Sequence, residues 1–181
     1  IAWSQCDEAN GTARGGWQYY VTSESYGNSD MSAVQWPILG VMSAQQNMGL
    51  SVPDWLAPET AYFVDYTQNL NVGSNDYGGW GYTYSTNWVN LAKTGAGIAS
   101  NFFLSKAIED TSNVLGFEYL ANHWSDTFDG SSVNEHMNGN FYSMYGIKKA
   151  FEFYDVSINQ GIDWYQDYVE YLLYNVSYGQ S

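Results

Sequence analysis

The sequence predicts an all-α protein of about six helices in three hairpins. Apolar residues recur at three- and four-residue spacing through the second half, segment 92–108 is apolar almost all round, and long strand-like alternation is absent. A length of 181 residues suits a single domain, 1–181. A chain of that size buries roughly 70% of its unfolded surface without a staple.

The first helix is expected to start at Ser29-Asp30-Met31, carry Ala33, Val34, Ile38, Leu39, Val41 and Met42, and stop at Gly49. Pro37 falls inside it, so a kink or a later start is expected. Pro58-Glu59 opens a second helix running to about Asn69. Ala92 to Ile108, with Gly95, Ala96, Gly97 and Ala99, reads as a helix buried by neighbours on both sides. Phe117, Leu120, Ala121 and Trp124 share a face over about 112–124. Met144, Ile147, Phe151 and Tyr154 do so over about 140–154, and Tyr165, Tyr168, Val169, Leu172 and Leu173 over about 162–175. The long polar segments 70–87 and 125–138 join these helices, and loops of that length in a helical domain are usually functional.

Composition narrows the functions. With 45% hydrophobic and 13% charged residues the chain is not a disordered polar tail. No apolar run reaches about 18 residues, so no transmembrane segment is expected. Five basic against 19 acidic residues give a formal charge of −14, which repels phosphate backbones and argues against nucleic acid as a partner. The lone cysteine, Cys6, excludes an internal disulfide framework and any multi-cysteine zinc site. Few Lys and Arg beside abundant Asn, Ser, Gly and Tyr point to an extracellular or cell-surface setting. Ile1 in place of an initiator Met suggests processing or a longer chain. The acceptor triplets at Asn10 and Asn175 match the chance expectation of about two and carry no argument.

An internal repeat sharpens the reading. Gln5 precedes Gly15-Gly16-Trp17-Gln18-Tyr19, and Gln68 precedes Gly78-Gly79-Trp80-Gly81-Tyr82, at the same spacing and 63 residues apart. A pattern repeated in register marks stacked supersecondary units, none of which buries its apolar face alone. These residues resemble the QW motif of the terpene-cyclase and prenyltransferase superfamily. The stretches 29–37 and 86–97 are similar to inner-helix starts in prenyltransferase and squalene-oxidase-repeat proteins. The resemblance covers most of residues 1–110. It implies an α/α toroid, in which inner and outer helices alternate around a ring and each Trp stacks on the Gln of its repeat. Six helices then make roughly half a ring, completed by further chain or another copy. Gln5, Trp17, Tyr19, Gln68, Trp80 and Tyr82 become structural clamps.

The catalytic signatures of that superfamily are missing. No Asp-x-Asp-Asp motif occurs, Cys6 lacks an Asp two residues before it, and no Cys-Gly-Glu-Gln thioester sequence is present. Cys6, His123 and His136 do not make a recognisable three-ligand zinc site, so neither metal nor cofactor is expected. Glycoside hydrolysis would need two carboxyl groups across a scissile bond, with Asp30, Glu59, Asp76, Asp126, Asp129, Glu135 and Asp163 as candidates. Asp30 also reads as a helix cap, and Glu135-His136 as an acid–base couple or plain surface. Trp36 and Trp88 follow the two inner-helix starts and suit a sugar ring, an isoprenoid or core filling. Asn87 stands beside Trp88 at the second of these starts. Lys93 lies in an otherwise apolar helix, where Asp30 or an anionic ligand would pair with it. The expectation is a non-catalytic extracellular module for binding or assembly. A carbohydrate-active or carbohydrate-binding protein, or an isoprenoid enzyme, is the alternative.

Overall fold

The computed structural model describes residues 2–6, 8–19, 29–126, 137 and 140–178. It is all-helical among these residues, with α1 Met31–Met48, α2 Leu56–Thr67, α3 Leu91–Phe103, α4 Thr111–Asn122, α5 Phe141–Phe153 and α6 Trp164–Tyr178. Glu135, His136 and Asp129 lie outside the described residues.

Local chemistry explains where the helices begin. Asp30, Asn90 and Asn140 are extended or bent residues whose side chains accept from the amides of Ala33, Lys93 and Ser143, capping α1, α3 and α5. Gly49, at φ 65°, ends α1 in the left-handed conformation expected of glycine. Helix α1 starts at Met31, which overturns the later start that Pro37 suggested, and it continues through Pro37. The ring removes the amide that would have bonded to the Ala33 carbonyl. Burial of Met31, Val34 and Ile38 offsets that loss. The buried helix is shorter than its apolar run: α3 ends at Phe103, and Ser105 turns the chain at φ 60°.

Helix α3 is the centre of the fold. Every residue from Leu91 to Asn101 is buried, and α3 packs against α1, α2, α4 and α5. Its small residues make this close packing feasible. A Cβ on Gly95 would fall 2.7 Å from the backbone nitrogen of Ile147, and one on Gly97 would fall 2.2 Å from the Trp80 ring. On α5, Gly146 sits beside Gln35 of α1 and the Ala92 carbonyl of α3. Gln35, Ala96 and Gly146 are each about the fifth or sixth residue of their helix, so α1, α3 and α5 run parallel and in register. Their amino ends lie together. Helix α4 is joined to α3 by Asn101, which donates to Asn113 at 2.9 Å within the core. Aromatic stacking ties α6 to the rest, through Phe151 on Trp164 and Trp124 on Tyr168.

The repeated sequence makes a repeated structure. Gln5 donates to the Gly15 carbonyl at 2.8 Å, and Gln68 to the Gly78 carbonyl at 3.0 Å. Beside each glutamine, the next residue exchanges backbone bonds with the two glycines: Cys6 with Gly15 and Gly16, Asn69 with Gly78 and Gly79. Both loops press on the start of the following even-numbered helix. Gly15 at φ 82° abuts the Glu59 carbonyl and Gly78 at φ 90° abuts that of Leu115, so a side chain is excluded at either site. Gln68 and Trp80 are linked by an antiparallel backbone bridge. The Trp80 ring lies between Gly97 and Gly116 and donates to the Val64 carbonyl at 2.9 Å.

Both tryptophans are buried. Trp17→Ala and Trp80→Ala are each expected to lower stability by about 3–5 kcal/mol in urea denaturation, the range for a large buried aromatic. An unchanged midpoint for both would remove the clamp role.

Candidate functional site

The amino ends of α1, α3 and α5 converge with the two Gly-Gly-Trp loops on one patch. The loop after Trp80 accepts the first amide of α1, from Met31 to the Tyr82 carbonyl at 2.8 Å, and the Asp30 amide reaches the Trp17 carbonyl at 3.2 Å. The start of α1 is thus held between both repeats. The matching tyrosines of the two repeats also meet here. Tyr19 shares a 2.6 Å hydrogen bond with Ser32, Ser32 donates to Asp30, and Tyr82 donates to the other Asp30 oxygen at 3.2 Å. The sequence placed Tyr19 and Tyr82 in the clamps, and their hydroxyls join the Asp30 network. Helix α5 adds Tyr142, which donates to the Ser32 carbonyl at 3.2 Å.

The predicted site residues are distributed unequally. Asp30 is buried and does the work of a cap, accepting from Ala33 at 2.8 Å. Lys93 is also buried, with its ammonium 5.6 Å from the centre of the Tyr82 ring. Trp36 is part exposed and stacks on Tyr145 at 5.8 Å. Trp88 is 68% exposed, sits at φ 50° and leans on Tyr82 at 6.1 Å. The two tryptophans therefore do not occupy related places: Trp36 lies within α1, and Trp88 in the loop before α3. The Asn87 side chain accepts from Thr83 at 2.9 Å and its backbone closes the 82–87 turn, so it shapes the loop that carries Trp88.

Burial controls the electrostatics. It pulls the Lys93 ammonium down to about 8, and the nearby Asp30 carboxylate opposes that shift. Burial, followed by Asp30, raises the Tyr82 phenol, and burial raises that of Tyr142 strongly. Both tyrosines are held as neutral donors. Three of the other candidate acids are engaged elsewhere. Glu59 is held by Arg14 through two bonds of 2.8 and 2.7 Å, Asp126 contacts His123 at 2.7 Å, and Asp163 accepts from Gln166 at the start of α6. Among the described residues no group of three His, Cys, Asp or Glu side chains could hold a metal ion, and Cys6 accepts a hydrogen bond from Ser29.

Sequence reasoning missed Ser32, Gln35, Tyr142, Ser143 and Tyr145. Gln35 lies beside the Tyr142 hydroxyl and acts on it as a hydrogen-bond partner, and the buried hydroxyl of Ser143 has no hydrogen-bond partner among the described residues. No family model, no curated protein and no solved structure matches this chain.

The depressed lysine gives a pH prediction. The unfolded chain holds the Lys93 proton up to about 10.5 and the folded chain only to about 8. Burying the ammonium therefore costs stability below about pH 8, and the cost fades as pH rises toward 10.5. Lys93→Met is expected to be more stable than the parent at neutral pH, by on the order of 2 kcal/mol. Denaturation at stepped pH should show that advantage shrinking above pH 8. A variant less stable than the parent at neutral pH would contradict it.

Proposed function

We propose that the chain is a non-catalytic, extracellular helical-repeat module of the α/α-toroid kind that works by association. Helices α1, α3 and α5 form the inner row and α2, α4 and α6 the outer one, as roughly half a ring. The remaining arc is supplied by further hairpins or a second copy. The parallel, in-register inner helices and the duplicated Gly-Gly-Trp clamps support this reading, as does the resemblance of those clamps to QW motifs.

One observation carries the association. Helix α6 buries Trp164 and Tyr168, and next to that face a second apolar stripe runs through Tyr165, the half-buried Val169, Leu172 and Leu173, of which Tyr165, Leu172 and Leu173 are exposed. Tyr165 is 62% and Leu173 66% exposed. One packed stripe satisfies a surface helix. A second stripe suits a helix stacked between neighbours, as in repeat arrays. A carbohydrate-binding reading stands second, favoured by the exposed Trp88 and the stacked Trp36–Tyr145 pair at the amino ends of the inner helices.

At −14 two copies repel each other over about a Debye length, so apolar packing must supply the attraction. Sedimentation velocity should show self-association that strengthens between about 0.05 and about 0.5 M NaCl. Leu172→Glu combined with Leu173→Glu should weaken it at least about tenfold. A chain that stays monomeric at every salt concentration, or associates equally well with both glutamates, would contradict the proposal.

A further inference from the structure

Trp88 is set apart by its backbone. It sits at φ 50°, where the other non-glycine residues among those described are Ser105, Asp155 and Gln160. A bulky side chain in that left-handed region is strained. Burial does not offset the strain, because the residue is 68% exposed. Hydrogen bonds nevertheless hold the loop in this shape. The Tyr82 amide donates to the Asn87 carbonyl at 2.6 Å, the Asn87 side chain accepts from Thr83, and the Tyr82 carbonyl accepts the first amide of α1. An exposed, strained tryptophan contributes little to folding, and such strain collects where a ligand is held.

The Trp88 ring is one end of a belt. It leans on Tyr82. The Tyr82 hydroxyl meets Asp30, and Ser32 links Asp30 to the Tyr19 hydroxyl. The Ser32 carbonyl accepts from Tyr142, whose ring is 6.0 Å from Trp36, and Trp36 stacks on Tyr145. Six aromatic rings, each reached from the one before by ring contact or a shared polar partner, thus run across the amino ends of α1, α3 and α5. Tyr19 is 62% and Trp36 45% exposed.

We propose that this belt is a binding surface for a neutral oligosaccharide, with Trp88 and Trp36 as its anchors. The inference rests on the carbohydrate-binding reading above and adds the residues that bind and the charge of the ligand. A sugar ring has a C–H face that packs on an aromatic ring and a rim of hydroxyls that both donate and accept. The belt offers the same two parts, with aromatic surface on either side of the Tyr19 and Ser32 hydroxyls. An acyl chain or an apolar helix would cover those hydroxyls without replacing their water. Charge sets the rest. Asp30 lies in the middle of the belt, and the chain carries −14. Of the two cations near these rings, Lys93 is buried and Lys149 is paired with Glu152. An acidic sugar would therefore be repelled without an uncommitted cation to hold it. Six rings exceed what one sugar covers, so the ligand is an oligosaccharide. The loop that carries Trp88 is already fixed by its own bonds, which lowers the ordering cost of binding.

Titrating the full chain with cellohexaose, mannohexaose, chitohexaose and hexagalacturonate, read by tryptophan fluorescence and by calorimetry, tests the assignment. At least one neutral hexasaccharide should bind, and at least about tenfold more tightly than hexagalacturonate. Trp88→Gly and Trp36→Ala should each weaken that binding at least about tenfold. Glycine adopts φ 50° freely, so Trp88→Gly should also unfold at a temperature no lower than the parent's, whereas loss of a purely structural tryptophan would lower it. Tyr66→Ala, which removes an exposed ring on α2, should bind as the parent does. Tighter binding of hexagalacturonate, equal loss in Tyr66→Ala, or a lower unfolding temperature in Trp88→Gly would each overturn the assignment. Binding that survives both tryptophan changes would overturn this site and leave the carbohydrate reading standing, whereas no binding to any hexasaccharide would remove both. Self-association is read separately, by sedimentation.

Discussion

The burial of α3 on all sides is the constraint on which the rest of the structure depends. A helix can be surrounded only if its neighbours come close, and close approach needs small residues. Gly95 admits the backbone of α5, and Gly97 with Gly116 admits the Trp80 ring between α3 and α4. The Trp80 backbone in turn bridges to Gln68 at the end of α2, and its ring donates to the Val64 carbonyl. One tryptophan therefore connects three helices, and its repeat partner Trp17 sits in the equivalent loop of the preceding unit.

Parallel packing around α3 has an electrostatic consequence. It gathers three helix starts at one end of the molecule, where caps, tyrosines and a buried lysine must share a small space. Two of the three caps are neutral asparagines, and Asp30 brings the one cap charge. The tyrosines from both repeats neutralise no charge there, but their hydroxyls hold Asp30 and Ser32 in place. The lysine is left with aromatic contact and a carboxylate at longer range. In a chain with 19 acids, leaving a cation unpaired in the interior is a local conflict. Such conflicts concentrate at functional sites.

Much of the architecture was legible because it rests on local rules. Apolar spacing with cap and proline signals located the six α-helices of the described residues, Gly49 marked the end of α1, and the two Gly-Gly-Trp loops kept one register in sequence and in hydrogen bonding. Pro37 did not delay the start of α1, because propensity at one residue yields to burial of its neighbours. The site was only half legible. Asp30, Trp36, Trp88 and Lys93 stood out by type. Gln35 and Ser143 did not, since what a buried polar side chain meets depends on which helices pack around it. Asn87 carried the right chemistry but is bonded within its own turn.

Native-state hydrogen exchange tests the central role of α3 most directly. The amides from Ala96 to Asn101 should be the slowest in the chain and exchange only through global unfolding, because each lies in a helix buried on every side. The second half of α1, from Ser43 to Met48, is largely exposed and should exchange far sooner. If the α3 amides exchanged as fast as those of Ser43–Met48, the helix would not be the element around which the others are assembled.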